Sequence, residues 1–155
     1  MFRLQEPLAD RERQLLADLR HWMAAQSALC VAYSGGVDST LVAAMAYEAK
    51  GDAALAVTGV SPALAPHLLR EARNQASWIG IAHRECATAE LNDPDYSSNP
   101  VDRCFACKRE LHQHLQPIAA AAGDALVIDG VNLDDLGDHR PGIEAARQAG
   151  VRSPL

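Results

Sequence analysis

Leu29–Ser39 reads LCVAYSGGVDS, an apolar run closed by two glycines and an acid. Leu29 to Tyr33 is short enough, and flanked closely enough, to be a buried strand. Gly35-Gly36 permits a sharp turn and a close backbone approach that no side chain would allow. Beyond Asp38 the period turns helical, with Leu41, Val42, Met45 and Ala49 on one face. Lys50 and Gly51 then supply a basic last turn and a glycine stop. Strand, glycine turn and helix N-terminus together make a phosphate-holding geometry, because the first N–H groups and the helix dipole point at the ligand. Two common phosphate loops are excluded: there is no G-x-x-x-x-G-K-[ST], and the spacing fails G-x-G-x-x-G. What remains is Ser34, Gly35, Gly36, Val37, Asp38 and Ser39. Two hydroxyls and several backbone amides can cradle a pyrophosphate, and the Asp38 carboxylate can hold a Mg²⁺ beside it.

Outward from this unit the chain alternates. Residues 7 to 25 read as an amphipathic helix, with Pro7 near its start and Leu15, Leu16, Leu19, Trp22 and Met23 at helical spacing. Ala54–Val60 is a second buried strand, rich in Val, Leu and Thr and stopped by Pro62. Residues 64 to 79 form a helix with Leu68, Leu69, Ala72, Ala76 and Ile79 inward, closed by Gly80. A third strand over roughly Ile81–Glu85 runs into the turn formers of residues 92–100. A helix from near Asp102 is expected to break or restart at Pro117. Ala125–Asp129 reads as a fourth strand, and a short helix starts at Pro141. Val151–Leu155 offers a fifth short strand. Strands alternating with helices give βαβ units, hence an α/β three-layer sandwich with a mostly parallel sheet of about five strands. Ligands of such sheets bind outside the carboxyl ends of the strands. Those ends carry Ser34-Gly35, Val60-Ser61, the loop after Glu85, Asp129-Gly130 and Ser153, so the polar clusters share one edge.

Composition bounds the function. A chain of 155 residues suits one domain with a real core. No apolar run approaches the about 18 residues of a membrane span, and the charged N-terminus has no apolar signal core. The net charge of −6 provides no footprint for nucleic acid. Four unevenly spaced cysteines fit a reducing compartment better than a disulfide framework. The expectation is a cytoplasmic domain with neither membrane nor nucleic acid as partner.

Two further clusters carry chemistry. Asn99 to Lys108 reads NPVDRCFACK, whose C-x-x-C invites a redox or metal reading. Zinc would need two more ligands, and His83, Cys86, His112 and His114 give no recognised spacing. Cys104 and Cys107 then read as thiols at a loop-to-helix junction, Arg103 and Lys108 as cations placed for an anionic substrate or for ATP phosphates. Cys30 reads as a small core residue. The other cluster runs from Asp129 to Gly142 and is crowded with acids. These would repel a nucleotide unless Mg²⁺ sits among some of them, so Asp129 or Asp134 is expected near the nucleotide and Asp135 in solvent.

The SGGVDS hexapeptide resembles the PP-loop of the ATP pyrophosphatases, which cleave ATP between the α and β phosphates. With TGVSP, NPVDRCFACK, DGVNLDDLGDHRPG and GVRSPL in order, residues from about 10 to 155 resemble the ATP-dependent sacrificial sulfur transferases of the LarE family. The resemblance implies an adenine nucleotide alpha hydrolase-like fold, and ATP with Mg²⁺ as cofactors. The implied partner is a small anionic carboxylate nucleotide that is adenylated with release of pyrophosphate during nickel-pincer nucleotide biosynthesis. The expected nucleotide ligands are Ser34 through Ser39, Val60, Ser61, Asp129, Asn132, Asp134 and Arg140. Asp38 and Asp129 are expected on the metal, and Asp38, Arg103 and Lys108 in catalysis. Family members continue past the SPL motif into a region with the sulfur-donor cysteine, which none of the four cysteines here matches. A single N-terminal PP-loop domain over 1–155 is therefore expected, with a homo-oligomer or a complementary C-terminal half left open as partner. Ammonia-dependent amidation, as in NAD and GMP synthetases, and a non-catalytic nucleotide-binding half are the competing functions.

Overall fold

The computed structural model describes residues 7–62, 64–88, 111, 113–130, 152 and 154. Helix α1 spans Asp10–Ala24 and is opened by the Glu12 carboxylate, which accepts the Ala9 N–H at 2.9 Å. Strand β1 (Leu29–Ala32) leads through the glycine turn into α2 (Val37–Lys50), and β2 (Ala54–Val60) follows a single 3₁₀ turn. Helix α3 (Pro66–Ile79) starts on a proline whose missing N–H costs nothing there, and ends on Gly80 at φ 93°. Strands β3 (Ala82–Ala87) and β4 (Leu126–Ile128) complete the named sheet.

The four strands are all parallel, in the order β3-β2-β1-β4. Of the fifth strand expected at Val151–Leu155, the described residues show a parallel bridge between Ile128 and Arg152. Two hydrogen bonds of 3.0 Å, Asp129 N–H to Arg152 O and Arg152 N–H to Val127 O, make that bridge. The third strand runs to Ala87, two residues beyond the expected Glu85, because the Thr88 N–H still bonds the Val60 carbonyl.

Alternation along the strands fills two cores. Leu29, Val31, Tyr33, Ala54, Ala56 and Ile128 face α1, α2 and α3. Cys30, Val57 and Val127 face the opposite way, onto Leu115 and Ala119. The step from β1 to β2 to β3 moves in one direction and keeps α2 and α3 on one face. Reaching β4 on the far side of β1 places the next helical segment on the other face, as right-handed crossovers require.

Three packing expectations change. Leu15, Leu41 and Leu68 are exposed to 58%, 40% and 44%. Helix α2 buries the expected Val42 and Met45 and also Ala43, Ala44 and Ala46, because it lies on the sheet and also touches its two neighbouring helices. Pro117 does not interrupt structure: residues 113–121 are helical through it. The buried Leu115 and Ala119 on either side hold that segment on the sheet, offsetting the proline penalty of about 3 kcal/mol. Among the described residues no helix is long and apolar enough to cross a membrane.

Candidate functional site

The sheet order reverses at β1, with β2 on one side and β4 on the other, and the glycine turn leaves β1 at that point. Crevices at such switch points hold ligands in open parallel sheets. Gly35 has φ 85°, and a Cβ there would lie 2.9 Å from the Ala72 Cα on α3. Only glycine both adopts that dihedral and admits that contact. Gly36 is the N-cap of α2 and differs: a Cβ there would meet only the Ser34 Oγ at 3.5 Å. The mouth of the loop is thus open at Gly36 and closed at Gly35.

Thr40 N–H bonds the Gly36 carbonyl at 2.9 Å, the first intrahelical bond of α2. The amides of Val37, Asp38 and Ser39 precede it and point out of the positive helix end. From the other side, Gly130 closes in: a Cβ there would be 2.7 Å from the Ser39 amide nitrogen and 3.0 Å from the Asp38 carbonyl carbon. The segment carrying the buried Asp129 therefore lies against the backbone of Asp38 and Ser39. Asp38 itself is exposed at the first turn.

The two hydroxyls of the loop bind the loop. Ser39 Oγ accepts the Ser34 N–H at 3.2 Å, lies 3.1 Å from the Ser34 Oγ, and donates to the Gly36 carbonyl at 3.4 Å. Ser34 Oγ accepts the Gly36 N–H at 3.3 Å. Val60 and Ser61, expected beside the nucleotide, stand at the carboxyl end of β2, on the same sheet edge. Arg103, Lys108, Asn132, Asp134 and Arg140 lie outside the described residues, as do Cys104, Cys107, His112 and Asp135.

A polar chain beneath the loop was not anticipated. Thr58 is buried, and its Oγ1 donates to the Tyr33 carbonyl at 2.9 Å. The same Oγ1 lies 2.7 Å from His83 Nε2. A hydroxyl has one proton, and a carbonyl can only accept it, so His83 Nε2 carries the hydrogen that Thr58 accepts. The Tyr33 hydroxyl donates to the Ala72 carbonyl at 2.8 Å, and its ring meets the His83 ring edge-on at 5.5 Å. Arg73 holds Glu85 in a two-pronged pair at 2.6 and 2.9 Å. Burial pushes the His83 imidazole below its ordinary range, against the pull of nearby Glu85. The signal available in the sequence was only Thr58 and His83 on neighbouring strands. Their register, Ala56 to His83 and Thr58 to Glu85, comes from the folded sheet.

The cysteines in view are core thiols. Cys30 is fully buried and its pKa is pushed up to about 11, mainly by desolvation. Burial likewise raises the half-buried Cys86. Among the described residues no group of three or more His, Cys, Asp or Glu is arranged to hold a metal.

No family model matches the chain. Over 140 residues, 90% of its length, it is 54% identical to an uncharacterized protein of Synechocystis sp., of which it covers 52%. Over 149 residues, 96% of its length, it is 34% identical to the pyridinium-3,5-bisthiocarboxylic acid mononucleotide synthase of Lactiplantibacillus plantarum, again covering 52%. The chain thus spans about half the length of the curated relatives it matches. In fold it resembles the NMN synthetase from Francisella tularensis, with a TM-score of 0.75 at 17% identity over 92% of this chain and 63% of that one. It also resembles the NH3-dependent NAD synthetase from Campylobacter jejuni, with a TM-score of 0.72 at 16% identity over 92% of this chain and 66% of that one. Sequence kinship and fold agree: nearly the whole chain is similar to about half of a pyridinium-3,5-bisthiocarboxylic acid mononucleotide synthase, and its fold is the one seen in the NAD and NMN synthetases.

Proposed function

We propose that the chain binds ATP with Mg²⁺ at the Ser34–Ser39 loop and adenylates a substrate carboxylate, as the first half of a sulfur insertion. The observation that carries this reading is the open N-terminus of α2 at the sheet's switch point, flanked by the Asp129-Gly130 segment. The kinship with a synthase of a bisthiocarboxylic acid mononucleotide supports the carboxylate as acceptor.

A metal fits the residues present. Asp38 and Asp129 supply hard oxygen donors from two segments whose backbones touch, the donor type that suits Mg²⁺. Bound there, Mg²⁺ would neutralise charge on the leaving pyrophosphate. The chain's own part is electrostatic. The amides of Val37 and Asp38, with the α2 dipole behind them, face the phosphates and stabilise charge on the departing oxygen. A substrate carboxylate oxygen attacks the α-phosphorus, the bond to the bridging oxygen breaks, and pyrophosphate leaves. No side-chain base is needed, because the nucleophile is already ionised. Val60 and Ser61 on the next strand, with Asn132, Asp134 and Arg140, complete the nucleotide site in this reading. Arg103 and Lys108 meet the anionic substrate.

Calorimetry with ATP and Mg²⁺, followed by assay for AMP and pyrophosphate with a pyridinium biscarboxylate mononucleotide, tests the proposal. Pyrophosphate release that depends on that carboxylate supports it. Absence of ATP binding overturns the site. Release only with ammonia and a different carboxylate moves the chain to the amidating synthetases.

A further inference from the structure

We propose that Thr58 and His83 are positioning residues for the PP-loop, acting through the carbonyl of Tyr33 rather than by touching a ligand. The proposal rests on the reading of Ser34–Ser39 as a nucleotide site, and reaches residues which that reading does not use.

The argument begins where β1 stops. Tyr33 keeps its N–H in the sheet, donating to the Val57 carbonyl at 2.9 Å. Its own carbonyl, one peptide before Ser34, takes the Thr58 hydroxyl at 2.9 Å. Its phenol reaches across to the Ala72 carbonyl at 2.8 Å, and Ala72 is the residue on which the Gly35 backbone rests. Tyr33 is therefore held at three points, from β2 twice and from α3 once. The loop that follows starts from a fixed peptide plane.

Thr58 can do this only if its proton goes to Tyr33. With that proton given to Tyr33, Oγ1 is left to accept from His83 Nε2–H at 2.7 Å, so the two bonds complete one another. The T-shaped contact of the His83 and Tyr33 rings fixes the imidazole in turn. The outcome is a loop whose amides are preorganised before any nucleotide arrives, which is where electrostatic stabilisation gains its advantage.

Thr58→Val preserves shape and removes the hydroxyl; Thr58→Ser restores it. His83→Leu removes the N–H, and His83→Gln keeps a donor. Amide hydrogen exchange, measured without nucleotide, should rise at residues 34–39 in Thr58→Val while α1 and β2 keep wild-type protection. The ATP dissociation constant, measured with Mg²⁺, should rise about tenfold. His83→Leu should shift both readouts in the same direction and less. Thr58→Ser and His83→Gln should return both toward wild type, as a purely volumetric role would not. A folded Thr58→Val with wild-type exchange at 34–39 overturns the proposal. Should the wild-type protein fail to bind ATP, the nucleotide reading fails, but the exchange measurement still decides whether Thr58 positions the loop.

Discussion

Asp38 stands in the first turn of α2, where a negative charge is favoured by the helix dipole, typically by about 0.3–1 kcal/mol when exposed. Asp38→Ala should therefore cost little stability while removing the proposed Mg²⁺ ligand. Calorimetry should show the Mg²⁺-dependent part of ATP binding lost and the melting temperature nearly unchanged. Gly36 and Ser39 separate folding from binding in the same way. A Cβ at Gly36 makes only an ordinary contact with the Ser34 Oγ, so Gly36→Val should fold normally and obstruct phosphate approach. Ser39 is buried and bonded within the loop, so Ser39→Ala should lower stability by about 1 kcal/mol and weaken ATP less than Gly36→Val does. Equal ATP affinity in Gly36→Val and wild type would remove the loop mouth as the phosphate site. At Cys30, zero exposure and a pKa near 11 leave almost no thiolate at neutral pH, so iodoacetamide should leave it unmodified in the native protein.

At the scale of elements, the loop depends on α3 as much as on β1 and α2. Gly35→Ala forces a side chain into φ 85° and into the Ala72 backbone at 2.9 Å, with α3 pinned to the sheet by Ala76 and Ile79. Strain of about 1–3 kcal/mol is expected, read as a lower denaturant midpoint with an unchanged slope. The elements were largely legible in the sequence because their ends are chemically marked. Ala54–Val60 sits where it was expected, with Pro62 close behind, and Gly80 closes α3 in the left-handed conformation that only glycine takes cheaply. The faces of α2 were less legible. Alanine reads as weakly apolar in any periodicity, so Ala43, Ala44 and Ala46 gave no hint that three neighbours cover that helix, while Leu41, read with Val42 and Met45, stays exposed. Pro117 misled for the converse reason: local chemistry argues for a break, and packing through Leu115 and Ala119 decides otherwise. The bonds between the Ser34 and Ser39 hydroxyls were not legible in the sequence, because they exist only once the turn has formed.

Across the whole molecule, the parallel sheet brings residues 25 or more positions apart onto one edge, and its pH response follows from that. Thr58 and His83 meet only because β2 and β3 pair in register, a relation no local pattern contains. That placement buries an imidazole whose neighbours are Tyr33, Thr58, Glu85 and Arg73. Burial lowers its pKa below the ordinary 6.5, with Glu85 opposing and Arg73 reinforcing the shift. The unfolded chain therefore binds a proton at this histidine more readily than the folded one. Stability contributed by neutral His83 is present above about pH 6.5, and is lost as pH falls through the lower folded value. Glu85 adds a second, more acidic step. Its carboxylate is held below the usual range by the hydrogen bonds from Arg73, so its contribution is lost only as pH falls through that depressed value. Denaturant midpoints measured from pH 8 down to about pH 2 should thus decline first below about pH 6.5 and again in the acid range. His83→Gln should abolish the first decline and keep the second, whereas Arg73→Gln, which removes the main cause of the Glu85 shift and part of the His83 shift, should shrink the second and weaken the first. A first decline of wild-type size in His83→Gln would mean that the proton is taken up elsewhere, and that the imidazole does not govern the near-neutral response.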